Sequence, residues 1–158
     1  MNIEYRKLTA EDVDTFITMR IAQLREEGAT EDIDLRPALQ DYYRRHMADG
    51  TFVSWLAVKG ERVVGTSGIS VVKKPPYFGC PNGRIALLSG MYTAPAYRRM
   101  GIGSRLLSLV TEDARSAGCA AVHITASDMG VKLYSSFGFV KNHNFMYLNL
   151  TEKDEVVQ

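Results

Sequence analysis

A short glycine-bearing loop in the middle of the chain has residues suited to binding a phosphate. Gly101 and Gly103 lie between an apolar stretch that ends near Thr93 and an amphipathic helical pattern that begins near Ile102. The first turn of a helix leaves backbone N–H groups without intrahelical acceptors and carries the positive end of the helix dipole. Because glycine has no β-carbon, an anion can approach those N–H groups closely. The loop therefore predicts an anion site, with a plain helix-capping turn as the alternative.

Two further motifs accompany the loop. Residues 133–139 read Leu-Tyr-Ser-Ser-Phe-Gly-Phe, and Met91-Tyr92-Thr93 followed by Pro95-Ala96-Tyr97-Arg98 leads into the loop. With the Arg-x-x-Gly-x-Gly pattern of Arg98 to Gly103, these segments resemble the GNAT superfamily of acyl-CoA-dependent N-acyltransferases. The resemblance is specific over residues 84–139 and rests elsewhere on the order of the helices and strands.

The resemblance implies a site for acetyl-CoA around the glycine loop. Main-chain N–H groups of residues 99–104 are expected to bind the pyrophosphate, assisted by arginine side chains and the hydroxyl of Ser104. The pantetheine arm is expected to pair with the strand before the loop, as an added strand would. Family members often have an asparagine at the position of Ser127. The expected cofactor-binding residues are Met91, Tyr92, Thr93, Arg98, Arg99, Met100, Gly101, Ile102, Gly103, Ser104 and Ser127.

Tyr134 is the residue that the resemblance implies for proton donation. A phenol with a reference pKa of about 10 is protonated at neutral pH and can protonate a departing thiolate. By residue type alone, a tyrosine in a short apolar helix is more often a core residue. The surrounding motif favours the catalytic interpretation.

A base is also required, because an alkylammonium with a reference pKa of about 10.4 must lose a proton before it attacks a thioester. Many relatives place a glutamate on the strand before the loop, whereas residues 84–91 contain no acid. We predict Glu27, since the segment joining the first two helices lines the acceptor cleft in this family. The alternatives are Glu26, Asp34, His46 and His123.

Composition excludes several function classes. The chain of 158 residues has 19 Lys and Arg against 18 Asp and Glu, a formal net charge of +1, so no global charge attracts nucleic acid or an anionic membrane. Charges and turns interrupt every apolar stretch well short of a membrane span. The two cysteines lack metal-ligand spacing. We therefore predict a cytoplasmic protein without a metal.

The order of elements predicts an α+β fold with a mostly antiparallel central sheet flanked by helices, in the order β-α-α-β-β-β-α-β-α-β. Gly90 is expected to mark a bulge that splays neighbouring strands. The alternating residues 145–150 are predicted to form the closing strand. Residues 1–150 would form one domain, and 151–158 a polar tail.

The expected activity is transfer of an acetyl group from acetyl-CoA directly to a primary amine, on a small molecule or a peptide, without a covalent enzyme intermediate. The alternative is a non-catalytic acetyl-CoA-binding sensor or partner module, which the missing strand glutamate favours. An acidic stretch over residues 26–34 favours a cationic acceptor or is a solvated loop. Homodimers are common in the family, and no residue pattern predicts an interface.

Overall fold

The computed structural model describes residues 2–142 and 144–151. Four helices lie at α1 (Val13–Glu26), α2 (Arg36–Ala48), α3 (Ile102–Ser116) and α4 (Asp128–Phe137). The strands are β1 (Glu4–Lys7), β2 (Phe52–Val53), β3 (Trp55–Lys59), β4 (Arg62–Thr66), β5 (Ile69–Lys73), β6 (Arg84–Leu88), β7 (Tyr92–Thr93) and β8 (Val122–His123). Single 3₁₀ turns precede α1 (Ala10–Asp12) and α3 (Pro95–Tyr97).

The strands form two four-stranded sheets, in the orders β1-β3-β4-β7 and β2-β5-β6-β8. All pairs are antiparallel except β6 with β8. Strands β2 and β3, β4 and β5, and β6 and β7 follow one another closely in the chain, so each pair is one long strand interrupted at a bend. The predicted α+β fold with a mostly antiparallel sheet is confirmed, and each predicted central strand is divided in two.

Buried hydroxyl groups hold the strands at these bends. Ser67 is fully buried, and its Oγ accepts a hydrogen bond from the N–H of Trp55 (3.0 Å) and donates one to the C=O of Trp55 (2.8 Å). The hydroxyl of Thr66 donates to the C=O of Gly90 at 2.7 Å. Side chains therefore satisfy main-chain groups that a regular ladder would otherwise pair.

The interruption expected at Gly90 is present, since this glycine lies between β6 and β7 with φ +66°. Before it, β6 pairs with β8 through Ala86 and Val122 and through Leu87 and His123. After it, β7 pairs with β4 and with no other described strand. The two halves of this interrupted strand therefore belong to different sheets.

Helices cover both faces of the sheet. On one face, Phe16 of α1 packs edge-on against Tyr43 of α2, with ring centroids 5.0 Å apart. On the other, Leu107 and Val110 of α3 pack with Ile69 of β5. Among the described residues, no helix is both long enough and apolar enough to cross a bilayer.

The predicted closing strand at 145–150 is wrong. These residues have no regular secondary structure, and the order of elements ends with α4. Alternating apolar residues favour a strand, yet a strand also needs a neighbouring strand for its backbone groups, and none of the described strands pairs with this segment. The predicted polar tail lies outside the described residues except for Thr151.

We expect the Ser67→Ala variant to unfold with a free energy about 1–3 kcal/mol lower, because it leaves the N–H of Trp55 buried without an acceptor. Urea denaturation followed by circular dichroism measures this loss. Ser108→Ala, at an exposed position of α3, is the control and should change stability by less than about 0.5 kcal/mol. Equal stability of the two variants would contradict the role given to Ser67.

Candidate active site

The glycine loop presents a row of unpaired N–H groups. Arg99 and Gly101 have left-handed backbone conformations, with φ +64° and φ +82°. The first hydrogen bond of α3 runs from the N–H of Arg105 to the C=O of Gly101 at 3.1 Å. The N–H groups of residues 99–104 donate no hydrogen bond to any described residue. Such a set of convergent donors at a helix N-terminus is suited to an anion.

The side chains of the loop have separate roles. Ile102 is buried against the sheet, so only its main chain is available to a ligand. Met100 and Ser104 are exposed. A β-carbon on Gly103 would lie 3.4 Å from Leu133 Cδ2, so the absence of a side chain lets α4 come close to the loop.

A groove of about 500 Å³ lies between this loop and α4. Its lining residues are Arg99, Gly101, Met129, Lys132, Leu133 and Ser136. Lys132 and Arg99 place two cations beside the unpaired N–H groups, which favours a polyanion. Lys132 was not predicted from the sequence, because only the packing of α4 brings it to the loop. The sequence signal for it was its position two residues before Tyr134.

Arg98 is bound within the protein. Its Nη2 donates to Glu26 Oε2 (2.9 Å), its Nε donates to the C=O of Thr93 (2.9 Å), and its guanidinium carbon lies 5.5 Å from the ring centroid of Tyr92. The hydrogen bond to the Glu26 carboxylate raises the pKa of Arg98. Arg98 thus connects the loop to the end of α1. The N–H groups of residues 99–104 and the side chain of Arg99 are left available to bind an anion.

The strand predicted to pair with the cofactor arm lies beside α1. Gln23 is buried, and its Nε2 donates to the C=O of Met91 at 3.3 Å. Its Oε1 accepts from Arg20 Nη1 at 2.9 Å. Gln23 is a second site residue that sequence reasoning missed. Its position seven residues after Phe16, on the buried face of α1, was the signal, since an amide placed there needs a polar partner.

Tyr134 lies on α4 with 7% of its surface exposed. Burial raises its pKa to about 12, and the negative charge of Glu27 acts in the same direction. Its hydroxyl makes no hydrogen bond to a described residue. A β-carbon on Gly130 would lie 2.7 Å from Tyr134 Cε2, so this glycine leaves room for the ring. The phenol is thus held protonated with its hydroxyl unpaired.

Ser127 acts at the start of α4. Its Oγ accepts a hydrogen bond from the N–H of Gly130 at 3.2 Å, which caps the helix that carries Tyr134. An N-cap of this kind stabilises a helix by about 1 kcal/mol. The observed role of Ser127 is therefore to hold the helix, and its hydroxyl lies at the same end of α4 as Gly130.

Glu27 is exposed at the C-terminal end of α1 and forms no ion pair with a described residue. Its negative charge contributes, after burial, to the raised pKa of Tyr134. Glu26, by contrast, is held by Arg98. Of the other base candidates, Asp34 accepts the N–H of Arg36 at its Oδ1, His46 contacts Thr51 Oγ1 through its Nδ1, and His123 is exposed on β8.

Together these groups offer donors for a phosphate ester at the loop, a protonated phenol on α4 and an exposed carboxylate at the end of α1. Among the described residues, no cluster of three or more His, Cys, Asp or Glu has the spacing of a metal site.

Known proteins resemble the chain in sequence. N-acetyltransferase 8B of Rattus norvegicus is 32% identical over 115 residues, which cover 70% of this chain and 50% of that protein. The chain thus matches about half the length of the rat protein. Aminoglycoside N(6')-acetyltransferase type 1 of Serratia marcescens is 27% identical over 153 residues, covering 89% of this chain and 94% of that protein.

The fold and the family agree with these similarities. The crystal structure of a "predicted acetyltransferase with acetyl-CoA" from Clostridium acetobutylicum superposes with a TM-score of 0.92 and 27% identity, covering 98% of this chain and 100% of that one. The sequence profile of the acetyltransferase (GNAT) family matches residues 16–139, which is well over half of the chain. This chain belongs to the GNAT acetyltransferase family.

Proposed function

We propose that the protein is an N-acetyltransferase that binds acetyl-CoA and transfers the acetyl group directly to a primary amine, without a covalent enzyme intermediate. The observation that carries this proposal is the pairing of six unpaired N–H groups at the start of α3 with a buried, protonated Tyr134 on the adjacent helix. The first feature suits a pyrophosphate, and the second suits a leaving thiolate.

Acetyl-CoA fits the groups that line the site. Its pyrophosphate would accept hydrogen bonds from the N–H groups of residues 99–104, with Arg99 and Lys132 adding positive charge. Its amide-bearing arm would pair with the main chain of Met91 to Thr93. The C=O groups of both residues already accept side-chain hydrogen bonds, so the arm would use their N–H groups or share those carbonyls. The Clostridium acetobutylicum relative, described with acetyl-CoA, supports the choice of this cofactor.

The proposed reaction joins proton transfers to one acyl transfer. Glu27 accepts a proton from the ammonium group of the acceptor, directly or through water, and the neutral amine attacks the thioester carbonyl carbon. The tetrahedral intermediate then collapses, the carbon–sulfur bond breaks, and Tyr134 donates its proton to the departing sulfur. The extra proton on the attacking nitrogen passes, directly or through water, to the Tyr134 phenolate, and Glu27 releases its proton to solvent. Each positioned acid or base contributes roughly a hundredfold to ten-thousandfold to the rate.

The acceptor we propose is a small cationic amine. Within the acidic stretch, Glu31 is bound by Arg25 through two hydrogen bonds and Glu26 is bound by Arg98. Glu27 is in no ion pair with a described residue and is therefore available to a ligand. The Serratia marcescens relative, named for aminoglycosides, supports a polyamine-like acceptor of this kind.

A non-catalytic sensor of acetyl-CoA is the second candidate. It is favoured by β6, whose sequence Arg-Ile-Ala-Leu-Leu contains no acid that could serve as a base. The sensor would bind acetyl-CoA and release no free thiol with any amine. Free-thiol release in the presence of an amine therefore distinguishes the two functions.

A Gly101→Glu/Gly103→Glu double variant should lose acetyl-CoA binding, because two carboxylates would occupy the anion site and repel the pyrophosphate. Isothermal titration calorimetry should show at least a hundredfold weaker affinity, about 2.7 kcal/mol. The control Ser108→Glu/Ser116→Glu adds the same charge to exposed positions of α3 and should change affinity by less than about threefold. Failure of the folded wild type to bind acetyl-CoA would refute the proposed cofactor.

A Tyr134→Phe variant should bind acetyl-CoA normally and show kcat lowered by about a hundredfold or more, because the proton donor is removed. Free-thiol release with a panel of amines measures kcat. Tyr77→Phe, in an exposed loop, is the control. Because the pKa of Tyr134 is raised to about 12, the wild-type rate should not fall as the pH rises from 8 to 10.5. A decrease centred near pH 10 would contradict this assignment.

A Glu27→Gln variant should lower kcat/KM at neutral pH by about a hundredfold and approach the wild type as the pH rises towards 10, because the free amine then forms without a base. The matched control is Glu112→Gln on α3, where the carboxylate is also exposed. A deficit that stays constant with pH would assign Glu27 to binding instead of proton removal.

A further inference from the structure

One side of β7 has main-chain groups that no strand uses. We call it the free edge and define it as the main-chain groups of residues 91–93 that point away from β4. The N–H of Ala94 donates to the C=O of Val64 at 2.9 Å, and Tyr92 pairs with β4 in the same ladder. Because paired residues alternate along an antiparallel strand, Met91 and Thr93 direct their main-chain groups to the free edge.

Each carbonyl on the free edge already accepts a side-chain hydrogen bond. Gln23 Nε2 donates to the C=O of Met91 at 3.3 Å, and Arg98 Nε donates to the C=O of Thr93 at 2.9 Å. The N–H of Met91 donates to no described residue. A ligand that pairs with the free edge therefore meets N–H donors, and the ligand groups that match these donors are carbonyl oxygens.

The amide of Gln23 can make its contacts in one orientation only. Its Oε1 accepts a hydrogen bond from Arg20 Nη1 at 2.9 Å, while its Nε2 contacts Met91. A guanidinium only donates and a backbone carbonyl only accepts, so turning the amide over would oppose like groups at both ends. Gln23 is 9% exposed, so water has little access to replace either partner. The donor to Met91 is thus held in place by α1.

The peptide group before Met91 is fixed as well. Thr66 Oγ1 donates to the C=O of Gly90 at 2.7 Å, and Gly90 is buried. Because the C=O and the N–H of a planar trans peptide point in opposite directions, holding the C=O of Gly90 also sets the direction of the N–H of Met91. Thr66 and Gln23 therefore hold the two consecutive peptide groups around Met91.

We propose that Gln23 is a positioning residue for acetyl transfer, which sets how the arm of acetyl-CoA pairs with the free edge. The arm carries two amides and a thioester, so it offers both N–H donors and carbonyl acceptors. With the C=O of Met91 occupied, the arm pairs through its carbonyls, in one alignment that fixes the thioester relative to Tyr134. The inference rests on the proposed function, and Gln23 acts through the main chain without touching the reacting atoms.

The Gln23→Glu variant tests this role, because it removes the donor to Met91 and keeps an oxygen for Arg20. We expect kcat to fall by about tenfold or more, since the thioester is no longer aligned with Tyr134. The affinity for acetyl-CoA, measured by calorimetry, should change by less than about threefold, because the donors of the glycine loop are intact. Gln23→Met, which introduces no charge, should give the same separation of kcat from affinity, with unchanged circular dichroism.

The matched control is Gln40→Glu on α2. Gln40 Nε2 also donates a hydrogen bond, to Asp14 Oδ1 at 3.0 Å, and this substitution removes that donor in the same way. Gln40 does not line the glycine loop groove or the free edge. We expect kcat and the affinity for acetyl-CoA to equal those of the wild type.

Infrared spectroscopy reports the alignment without an acceptor amine. Acetyl-CoA labelled with carbon-13 at the acetyl carbonyl should give one narrow carbonyl band when bound to the wild type. The same probe should give a broadened or divided band when bound to Gln23→Glu or Gln23→Met, because the arm then pairs in more than one alignment.

The outcomes separate this inference from the proposed function. A wild type that binds acetyl-CoA, with the same kcat and the same carbonyl band in both Gln23 variants, overturns the inference alone. A loss of affinity that matches the loss of kcat also overturns it, because Gln23 would then support binding instead of alignment. A wild type that does not bind acetyl-CoA refutes the proposed function, and the inference with it.

Discussion

The hydrogen bonds of two buried hydroxyls, on Thr66 and Ser67, are the constraint on which the site depends. They satisfy main-chain groups of Gly90 and Trp55 at the bends of three neighbouring strands. Without them, each unpaired buried group would cost about 1–3 kcal/mol, and a straight ladder would be favoured. With these bonds in place, β6 pairs with β8 in one sheet and β7 pairs with β4 in the other.

An ion pair engages one of the two neighbouring glutamates at the end of α1 and leaves the other available. Arg98 forms an ion pair with Glu26 and donates a hydrogen bond to the C=O of Thr93, so the charges of Arg98 and Glu26 neutralise each other. Glu27 has no ion-pair partner among the described residues, and its negative charge adds to the effect of burial in raising the pKa of Tyr134 to about 12. Burial and the charge act in the same direction because both disfavour a phenolate. A residue proposed as a proton donor is thereby kept protonated throughout the physiological pH range.

Strands β1 and β8, each at the edge of a sheet, differ in the charged residues that they carry. The β1 edge carries the charged residues Glu4, Arg6 and Lys7, whereas residues 120–126 around β8 contain no Lys, Arg, Asp or Glu and include the partly buried Val122 and Ile124. Residues 145–150 have the composition of a strand, and none of the described strands pairs with them. Apolar alternation alone does not make a strand, because the backbone groups also need a neighbouring strand, and the prediction of a closing strand failed for this reason.

The sequence by itself determined the features that a few neighbouring residues specify. The glycine loop, the start of α3 near Ile102, the short helix that carries Tyr134 and the interruption at Gly90 follow from local periodicity and from backbone conformations that glycine adopts readily. The family resemblance rested on the same local motifs. These elements lie within one or two residues of the predicted positions because their causes are local.

Tertiary structure alone decided which distant groups meet. Gln23 reaches Met91 across 68 positions of the chain, and Glu26 reaches Arg98 across 72. Lys132 joins the loop only because α4 packs beside α3. Such contacts depend on the packing of whole elements and on the bends of the sheet, which involve residues far apart in the sequence. Local patterns therefore predicted the elements that carry the site, and long-range packing determined which of their side chains remain available for chemistry.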